Sequence, residues 1–135
     1  MSDPVTTKQP KSLKGQRKIV CLTADSVPMT HTRYPYCDLL LVGDTKAMGF
    51  YDADTAQGAD LDMLTQHSQT LIRRRKTAVV IIVLLVRSYE SSSEQTLEIK
   101  RWALVESGAD GGKLEGGCQI ARNFARLVGS ELAVL

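Results

Sequence analysis

The stretch Leu39-Leu40-Leu41-Val42-Gly43-Asp44-Thr45 decides the fold. A short, continuous apolar run of this kind is typical of a strand that is buried on both faces, as in a parallel sheet. The run leads directly into a carboxylate and a hydroxyl, and α/β proteins bind ligands at the carboxyl ends of their parallel strands. Asp44 and Thr45 are therefore candidate site residues. The alternative is a simple turn after a core strand, since Gly and Asp are common in turns.

The same alternation of an apolar run and a helical segment continues along the chain. Apolar runs predict strands at residues 18–23, 38–42, 77–86 and 131–135, with a further short strand within 111–117. Residues 27 to about 36 form either a short helix or an irregular crossover. Apolar spacing and helix-end signals predict further helices from near Asp60 to the basic run 73–76, from Ser91 to Gly108, and through Ile120, Phe124 and Leu127 to near Gly129. Such alternation favours right-handed βαβ units and a parallel sheet. The fold is then either a small open α/β sheet or about half of a (β/α)₈ barrel, with residues 18–135 as the domain and residues 1–17 as a flexible tail.

Two of the helices carry signals at their ends. Ser91 and Glu94 have the spacing of a capping box, which predicts a helix start at Ser91, and Gly108 is a natural helix C-cap. The basic run of residues 73–76 is most simply explained as cations at a helix C-terminus. A nucleic-acid surface is the alternative, but no second basic cluster or aromatic group accompanies the run.

Composition narrows the classes of partner. The chain has 135 residues and a formal net charge of +2, which gives no support for nucleic-acid or membrane partners. Its longest apolar run, residues 78–86, is much shorter than the roughly 20 residues that span a bilayer. The three cysteines show no C-x-x-C spacing, which favours a reducing compartment. We therefore expect a cytoplasmic protein of one domain.

A second polar group lies in the sequence Lys113-Leu114-Glu115-Gly116-Gly117. Side chains two residues apart in a strand point to the same face of the sheet. Alternation therefore predicts that Lys113 and Glu115 share one face and that Leu114 points the other way.

Taken together, these segments resemble the ketopantoate hydroxymethyltransferase family, from about Lys18 to Leu135. The motifs that carry the resemblance are Cys21-Leu22-Thr23-Ala24, residues 38–44, Leu61-Asp62-Met63 with His67, Ser88-Tyr89-Glu90 before Glu94-Gln95, and Gly108-Ala109-Asp110 leading into residues 113–117. The resemblance implies a (β/α)₈ barrel of the phosphoenolpyruvate/pyruvate superfamily. It also implies the transfer of a hydroxymethyl group from 5,10-methylenetetrahydrofolate to 3-methyl-2-oxobutanoate, which gives 2-dehydropantoate in pantothenate synthesis.

The resemblance further implies a Mg²⁺ ion that chelates the keto acid. Asp44 matches a metal ligand and a substrate-binding residue, Thr45 stands where the family usually has Ser, and Lys113 matches the residue that pairs with the substrate carboxylate. Glu115 matches a second acidic residue at the metal. His67 has packing or capping as its simpler role, with metal ligation as the alternative.

The sequence departs from the family in three places. Val83 stands where a third metal-site carboxylate is expected, so we predict weakened Mg²⁺ binding. Lys46 and Ala47 replace the usual residues after Asp44 and add a positive charge. The family's general base belongs to a later strand, so we expect it beyond Leu135 and assign no catalytic residue here.

These departures leave two hypotheses. The chain is a hydroxymethyltransferase, or it is a non-catalytic, degenerate half-barrel that binds keto acid weakly or associates with a full-length homologue. Open edges of a sheet that is normally closed also favour self-association, so we expect a homo-oligomer or a poorly stable chain.

Overall fold

The computed structural model describes residues 7–43, 61–73, 77–84 and 92–129. Their strands are β1 (Cys21–Thr23), β2 (Leu39–Val42), β3 (Val79–Val83) and β4 (Gly111–Lys113). Their α-helices are α1 (Lys8–Ser12), α2 (Val27–Arg33), α3 (Leu61–Ile72), α4 (Ser93–Ser107) and α5 (Ala121–Gly129). Short 3₁₀ helices follow α2 at Tyr34–Tyr36 and precede α5 at Cys118–Ile120.

The described strands form one parallel sheet in the order β1-β2-β3-β4. Strand order therefore equals chain order, and helices lie between consecutive strands, as the alternation predicted. This is the arrangement of half of a (β/α)₈ barrel, in which each βα unit is added beside the previous one. The predicted fifth strand, residues 131–135, lies outside the described residues.

Two apolar layers cover the two faces of the sheet. The larger layer contains Leu40, Val42, Val80 and Ile82, which pack with Leu71 of α3 and other buried side chains. The smaller layer lies on the opposite face and contains Val79 and Ile81, against which Leu39 and Leu41 pack. We call this second surface the inner face, because it would line the inside of a closed barrel. All five side chains of β3 are buried, which explains why its sequence is uninterruptedly apolar.

Polar contacts hold the helices to one another. The Tyr34 hydroxyl donates a hydrogen bond of 3.1 Å to the carbonyl of Leu71, which ties the segment after α2 to the end of α3. The Gln69 side-chain amide donates to the carbonyl of Glu106 at 2.6 Å and joins α3 to α4. An ion pair of 3.0 Å between Arg126 and Glu94 joins α5 to α4. The larger layer is thus reinforced at its periphery.

Several predicted boundaries were wrong by a few residues. Strand β1 begins at Cys21 and not at Lys18, because the Val20 N–H donates to the side chain of Asp38 at 2.9 Å and not to a backbone carbonyl of β2. The structure places the start of β3 at Val79 and not at Thr77, which is exposed.

The predicted cap of α4 was also displaced by one residue. The N-cap is Ser92, whose extended backbone places its hydroxyl to accept a hydrogen bond from the Gln95 N–H at 3.0 Å. Both Ser91 and Ser92 precede an acid or amide by three residues, so the sequence alone offered two registers. At the other end, Gly108 adopts φ 73°, and the prediction of a glycine C-cap is confirmed.

The segment before β1 is not wholly without structure. Residues 8–12 form α1, and Arg17 binds Asp38 in the connection to β2. The predicted mobility of residues 1–17 stays a prediction.

No helix among the described ranges is long and apolar enough to cross a membrane.

Candidate functional site

The carboxyl ends of the parallel strands form the candidate site. The residues that follow β2 there are Asp44 and Thr45, which lie outside the described residues, so their predicted placement stays a prediction. The described part of this edge is built by the ends of β3 and β4. It contains Val83, Lys113 and, just beyond the strand, Glu115.

Lys113 and Glu115 meet at this edge. The Lys113 Nζ lies 3.2 Å from Glu115 Oε1, and the two side chains are 33% and 49% exposed. Strand β4 ends at Lys113, so the contact does not require Glu115 to belong to the strand. The predicted convergence of the two side chains is therefore found, while their roles towards a ligand stay predictions.

The first glycine after Glu115, Gly116, has a steric reason. Gly116 adopts φ 156°, and a Cβ built there would lie 2.9 Å from a side-chain carbon of Ile120. A larger residue would have to displace the side chain of Ile120 at the end of the following 3₁₀ helix, and it would be strained at this backbone φ. The K-L-E-G-G sequence thus combines two charged residues with the tight approach that positions them.

Val83 is the direct neighbour of Lys113 in the sheet. The two residues are register partners, and the Leu84 N–H donates to the carbonyl of Lys113 at 3.0 Å. Partners in a parallel ladder present their side chains to the same face, and Val83 lies two residues after Ile81 of the inner face. Lys113 therefore stands on the inner face beside a valine that is only 7% exposed.

Lys113 also interacts electrostatically with Cys21 of β1. Burial raises the pKa of the Cys21 thiol, and the positive charge of Lys113 opposes that rise. No sequence pattern connects these residues, because Cys21 is one of three scattered cysteines without C-x-x-C spacing. The strand register does connect them. Cys21 is the register partner of Leu39, and Leu39 is the partner of Val79, and both of these side chains lie on the inner face. A raised thiol pKa argues against a nucleophilic role for Cys21.

The described residues fit a metal site poorly. Among them, no group of three or more His, Cys, Asp or Glu side chains is placed to hold a metal ion. Val83 offers no oxygen donor, and Glu115 is already paired with an ammonium group. Mg²⁺ requires several hard oxygen ligands and is repelled by a neighbouring cation. His67 is half-buried in the middle of α3, between the buried residues Thr65 and Ser68, and its alternative metal role stays a prediction.

The fold and this edge define a parallel βα protein whose ligand site would lie at the carboxyl ends of its strands. Comparison with known proteins narrows this class. The family model described as "Ketopantoate hydroxymethyltransferase" matches residues 4–135. The chain belongs to the ketopantoate hydroxymethyltransferase family.

Curated relatives support the same assignment. The chain is 39% identical over 130 residues to a 3-methyl-2-oxobutanoate hydroxymethyltransferase of Agrobacterium fabrum, which covers 96% of this chain and 47% of that protein. It is 40% identical over 122 residues to the enzyme of that name from Rhizobium rhizogenes, and the alignment covers 90% of this chain and 45% of that protein. For the enzyme of Brucella canis the identity is 41% over 133 residues, covering 95% and 48%. The chain thus spans about half the length of the curated relatives it matches.

Proposed function

We propose that this chain takes part in hydroxymethyl transfer to 3-methyl-2-oxobutanoate, with 5,10-methylenetetrahydrofolate as the one-carbon donor and 2-dehydropantoate as the product. The observation that carries the proposal is the meeting of Lys113 and Glu115 at the carboxyl edge of a parallel sheet in a member of this family. The names of its relatives support the keto acid and the hydroxymethyl group. The folate donor rests on the family resemblance.

Lys113 is the residue that we assign to the substrate carboxylate. Its ammonium group lies at the strand ends, and an ammonium–carboxylate hydrogen bond is stronger than a neutral one. Binding there would fix one end of the keto acid and hold its aliphatic part against the inner face. Asp44 and Thr45 follow the neighbouring strand β2, and we propose that the Thr45 hydroxyl adds a second hydrogen bond to the same carboxylate.

We also propose that this chain binds Mg²⁺, but with low affinity. Asp44 and Glu115 are the carboxylates that could contribute to it, and Val83 removes the third. A hard divalent cation is held largely by anionic oxygen, so we propose that this chain binds Mg²⁺ more weakly than a relative with a carboxylate at that position. No residue of the chain is assigned as the general base.

Three wider features complete the proposal. The product would serve pantothenate synthesis, and the protein would act in the cytoplasm. We also propose a homo-oligomer, because β1 is half exposed at one side of the described sheet and exposed strand edges favour association.

The test is direct turnover by the purified chain. We expect 2-dehydropantoate to form only slowly from keto acid and methylenetetrahydrofolate, because no general base is assigned to this chain. Lys113→Gln should lower that rate by about tenfold or more, because loss of one charge-assisted contact costs roughly a factor of ten. Mass spectrometry of the product and carbon-13 labelling of the methylene group would measure it. A folded chain that yields no labelled product would contradict the proposal and favour the non-catalytic half-barrel.

Glu94→Gln is the matched control. It breaks the ion pair with Arg126, which joins two helices and lies outside the strand-end site. We expect turnover by this variant to equal that of the unmodified chain.

A further inference from the structure

The segment that precedes β1 concentrates positive charge. Of the 17 basic and 15 acidic residues of the chain, residues 7–20 hold five and none, which leaves 12 and 15, a formal charge of −3, for the rest. The five are Lys8, Lys11, Lys14, Arg17 and Lys18. The total of +2 gave no support for an anionic partner because it averages over this separation of charge.

This segment is folded, and its lysines point to solvent. Residues 8–12 form α1, in which Pro10 is buried, and the Arg17 N–H closes the following turn on the carbonyl of Leu13 at 3.3 Å. The Arg17 guanidinium binds the carboxylate of Asp38. All four lysines are exposed, and no ion pair within the described part of the chain uses them. Four cations of one short segment thus remain available to a partner.

Exposed apolar side chains lie beside these cations. Ile19 and Val20 are 39% and 40% exposed, and Tyr36 is 74% exposed. Asp38 brings the two strand starts together, because it accepts from the Val20 N–H and donates its own N–H to the Val20 carbonyl, both at 2.9 Å. Tyr36 precedes Asp38 by two residues. We call the four lysines together with these three apolar side chains the basic surface. It lies at the amino ends of β1 and β2, whereas Lys113 lies at the carboxyl end of β4.

The composition of the basic surface suits an anionic membrane. Lysines near such a membrane are attracted by its negative surface potential, and a tyrosine ring is stable at the level of the headgroups. Exposed aliphatic groups gain free energy when they leave water for the acyl boundary. Nucleic acid fits less well, because arginine is the side chain that binds phosphate in a bidentate manner, and Arg17 is already bound to Asp38. A phosphate backbone also offers no apolar contact to Ile19 and Val20.

We propose that the basic surface binds the anionic headgroups of a lipid bilayer and holds the protein at the membrane reversibly. The contact uses side chains at the amino ends of the strands. The edge that carries Lys113 and Glu115 is then turned away from the lipid and stays open to soluble ligands. The inference does not depend on the proposed function, since it involves none of the residues assigned to the keto acid.

The experiment is sedimentation of the full chain with vesicles. One set contains phosphatidylcholine alone, and the other contains phosphatidylcholine with phosphatidylserine. We expect the chain to sediment with the second set at low salt, and to be released at high salt because salt screens exposed charges. Equal sedimentation with both sets, or sedimentation with neither, would overturn the inference.

A pair of lysines tests whether the charge acts locally. The double variant Lys11→Gln with Lys14→Gln should weaken binding to phosphatidylserine vesicles by about thirtyfold, because each lysine near the surface contributes roughly a factor of five. The matched control is Arg101→Gln with Arg122→Gln, which removes the same charge from exposed positions on α4 and α5. It should change the affinity by less than about twofold, since this attraction falls off within a Debye length. Equal losses in the two variants would show a response to net charge alone and would overturn the role of the basic surface.

Tyr36→Ala separates a membrane from other polyanions. The change leaves the charge unaltered, and the exposure of Tyr36 makes the fold insensitive to it, which circular dichroism would verify. We expect vesicle binding to weaken by about threefold or more, because the apolar area placed at the interface is lost. Unchanged vesicle binding by this variant, or tighter binding of the unmodified chain to double-stranded DNA than to phosphatidylserine vesicles, would overturn the choice of lipid. Turnover is measured without vesicles, so its failure and the failure of this inference are distinguishable.

Discussion

The two ends of the sheet use carboxylates in opposite ways. At the amino end, Asp38 and Asp110 each form a closed pair of hydrogen bonds with one neighbouring residue, Val20 directly before β1 and Val80 of β3. Asp38 donates its N–H to the carbonyl of Val20 and accepts from the Val20 N–H, both at 2.9 Å. Asp110 does the same with Val80, at 2.9 and 2.8 Å. At the carboxyl end, Glu115 pairs with the side chain of Lys113 at 3.2 Å, and the two side chains are 49% and 33% exposed.

The difference separates stability from binding. A carboxylate that accepts from the backbone N–H of a sheet satisfies a donor that would otherwise lose its partner on burial. A carboxylate that pairs with an exposed lysine can exchange its partner with a ligand. Barrel folds commonly divide these tasks in the same way, with chemistry at the carboxyl ends of the strands and stability at the amino ends.

The largest effect should come from Asp110→Ala. It leaves the N–H of Val80 without its side-chain acceptor in a strand that is fully buried. An unsatisfied buried donor costs about 1–3 kcal/mol, so we expect a loss of about 2 kcal/mol in the free energy of unfolding. Urea denaturation would measure it. Glu98→Ala, at an exposed helical position, is the control and should change the stability by much less.

A smaller loss is expected from Asp38→Asn. The variant keeps an oxygen that can accept from Val20 but loses the ionic contacts to Arg17, at 2.8 and 2.6 Å. Arg17 is half exposed, so we expect this loss to be clearly smaller than that of Asp110→Ala. Thermal unfolding at low and high salt would check this, since salt should weaken the unmodified pair and leave the variant unchanged.

The same pair predicts a dependence on acid. The hydrogen bond from the Arg17 guanidinium, followed by that from the Val20 N–H, lowers the pKa of Asp38. A carboxyl whose pKa is lower in the folded state stabilises the fold above its unfolded pKa of about 3.9 and loses that contribution as the pH falls through the folded value. We expect the difference in stability between the unmodified chain and Asp38→Asn to shrink below about pH 4. A constant difference down to pH 2 would contradict this account.

The smallest effect on stability is expected at the carboxyl end. Glu115→Gln should change the free energy of unfolding by less than about 0.5 kcal/mol, because half-exposed ion pairs contribute little. The same variant should alter carboxylate binding, whereas Asp110→Ala should not do so below its unfolding transition. A large destabilisation by Glu115→Gln would remove the contrast between the two ends.

The general architecture was readable from the sequence because each strand is a short apolar run and each connection is helical. Gly108 marked the end of α4 because only a residue without a Cβ adopts its backbone conformation freely. The cap of α4 was missed by one residue, since two adjacent serines satisfy the same pattern. The start of β1 was missed because Ile19 and Val20 continue the apolar run, whereas the Val20 N–H is bonded by the side chain of Asp38, which no local pattern encodes.

The candidate site was only partly predictable. Alternation brought Lys113 and Glu115 together because they are two residues apart. The family resemblance implied that positions 113 and 83 belong to the same site. The register between β3 and β4 gives this a structural basis, because Val83 and Lys113 are direct partners. Register depends on the length and packing of a whole helical crossover, which no local pattern encodes. Asp38 and Asp110 were missed for the same reason, because their partners lie on another strand.

The identity of strand order and chain order has a consequence for biosynthesis. Each of β2, β3 and β4 pairs with the strand that was synthesised immediately before it. During translation every new strand therefore emerges beside a partner that has already left the ribosome. Asp38 and Asp110 come directly before β2 and β4, so each carboxylate emerges just ahead of the strand that it joins to its neighbour. The sheet can grow in one direction, and no strand among the described residues has to wait for a distant part of the chain.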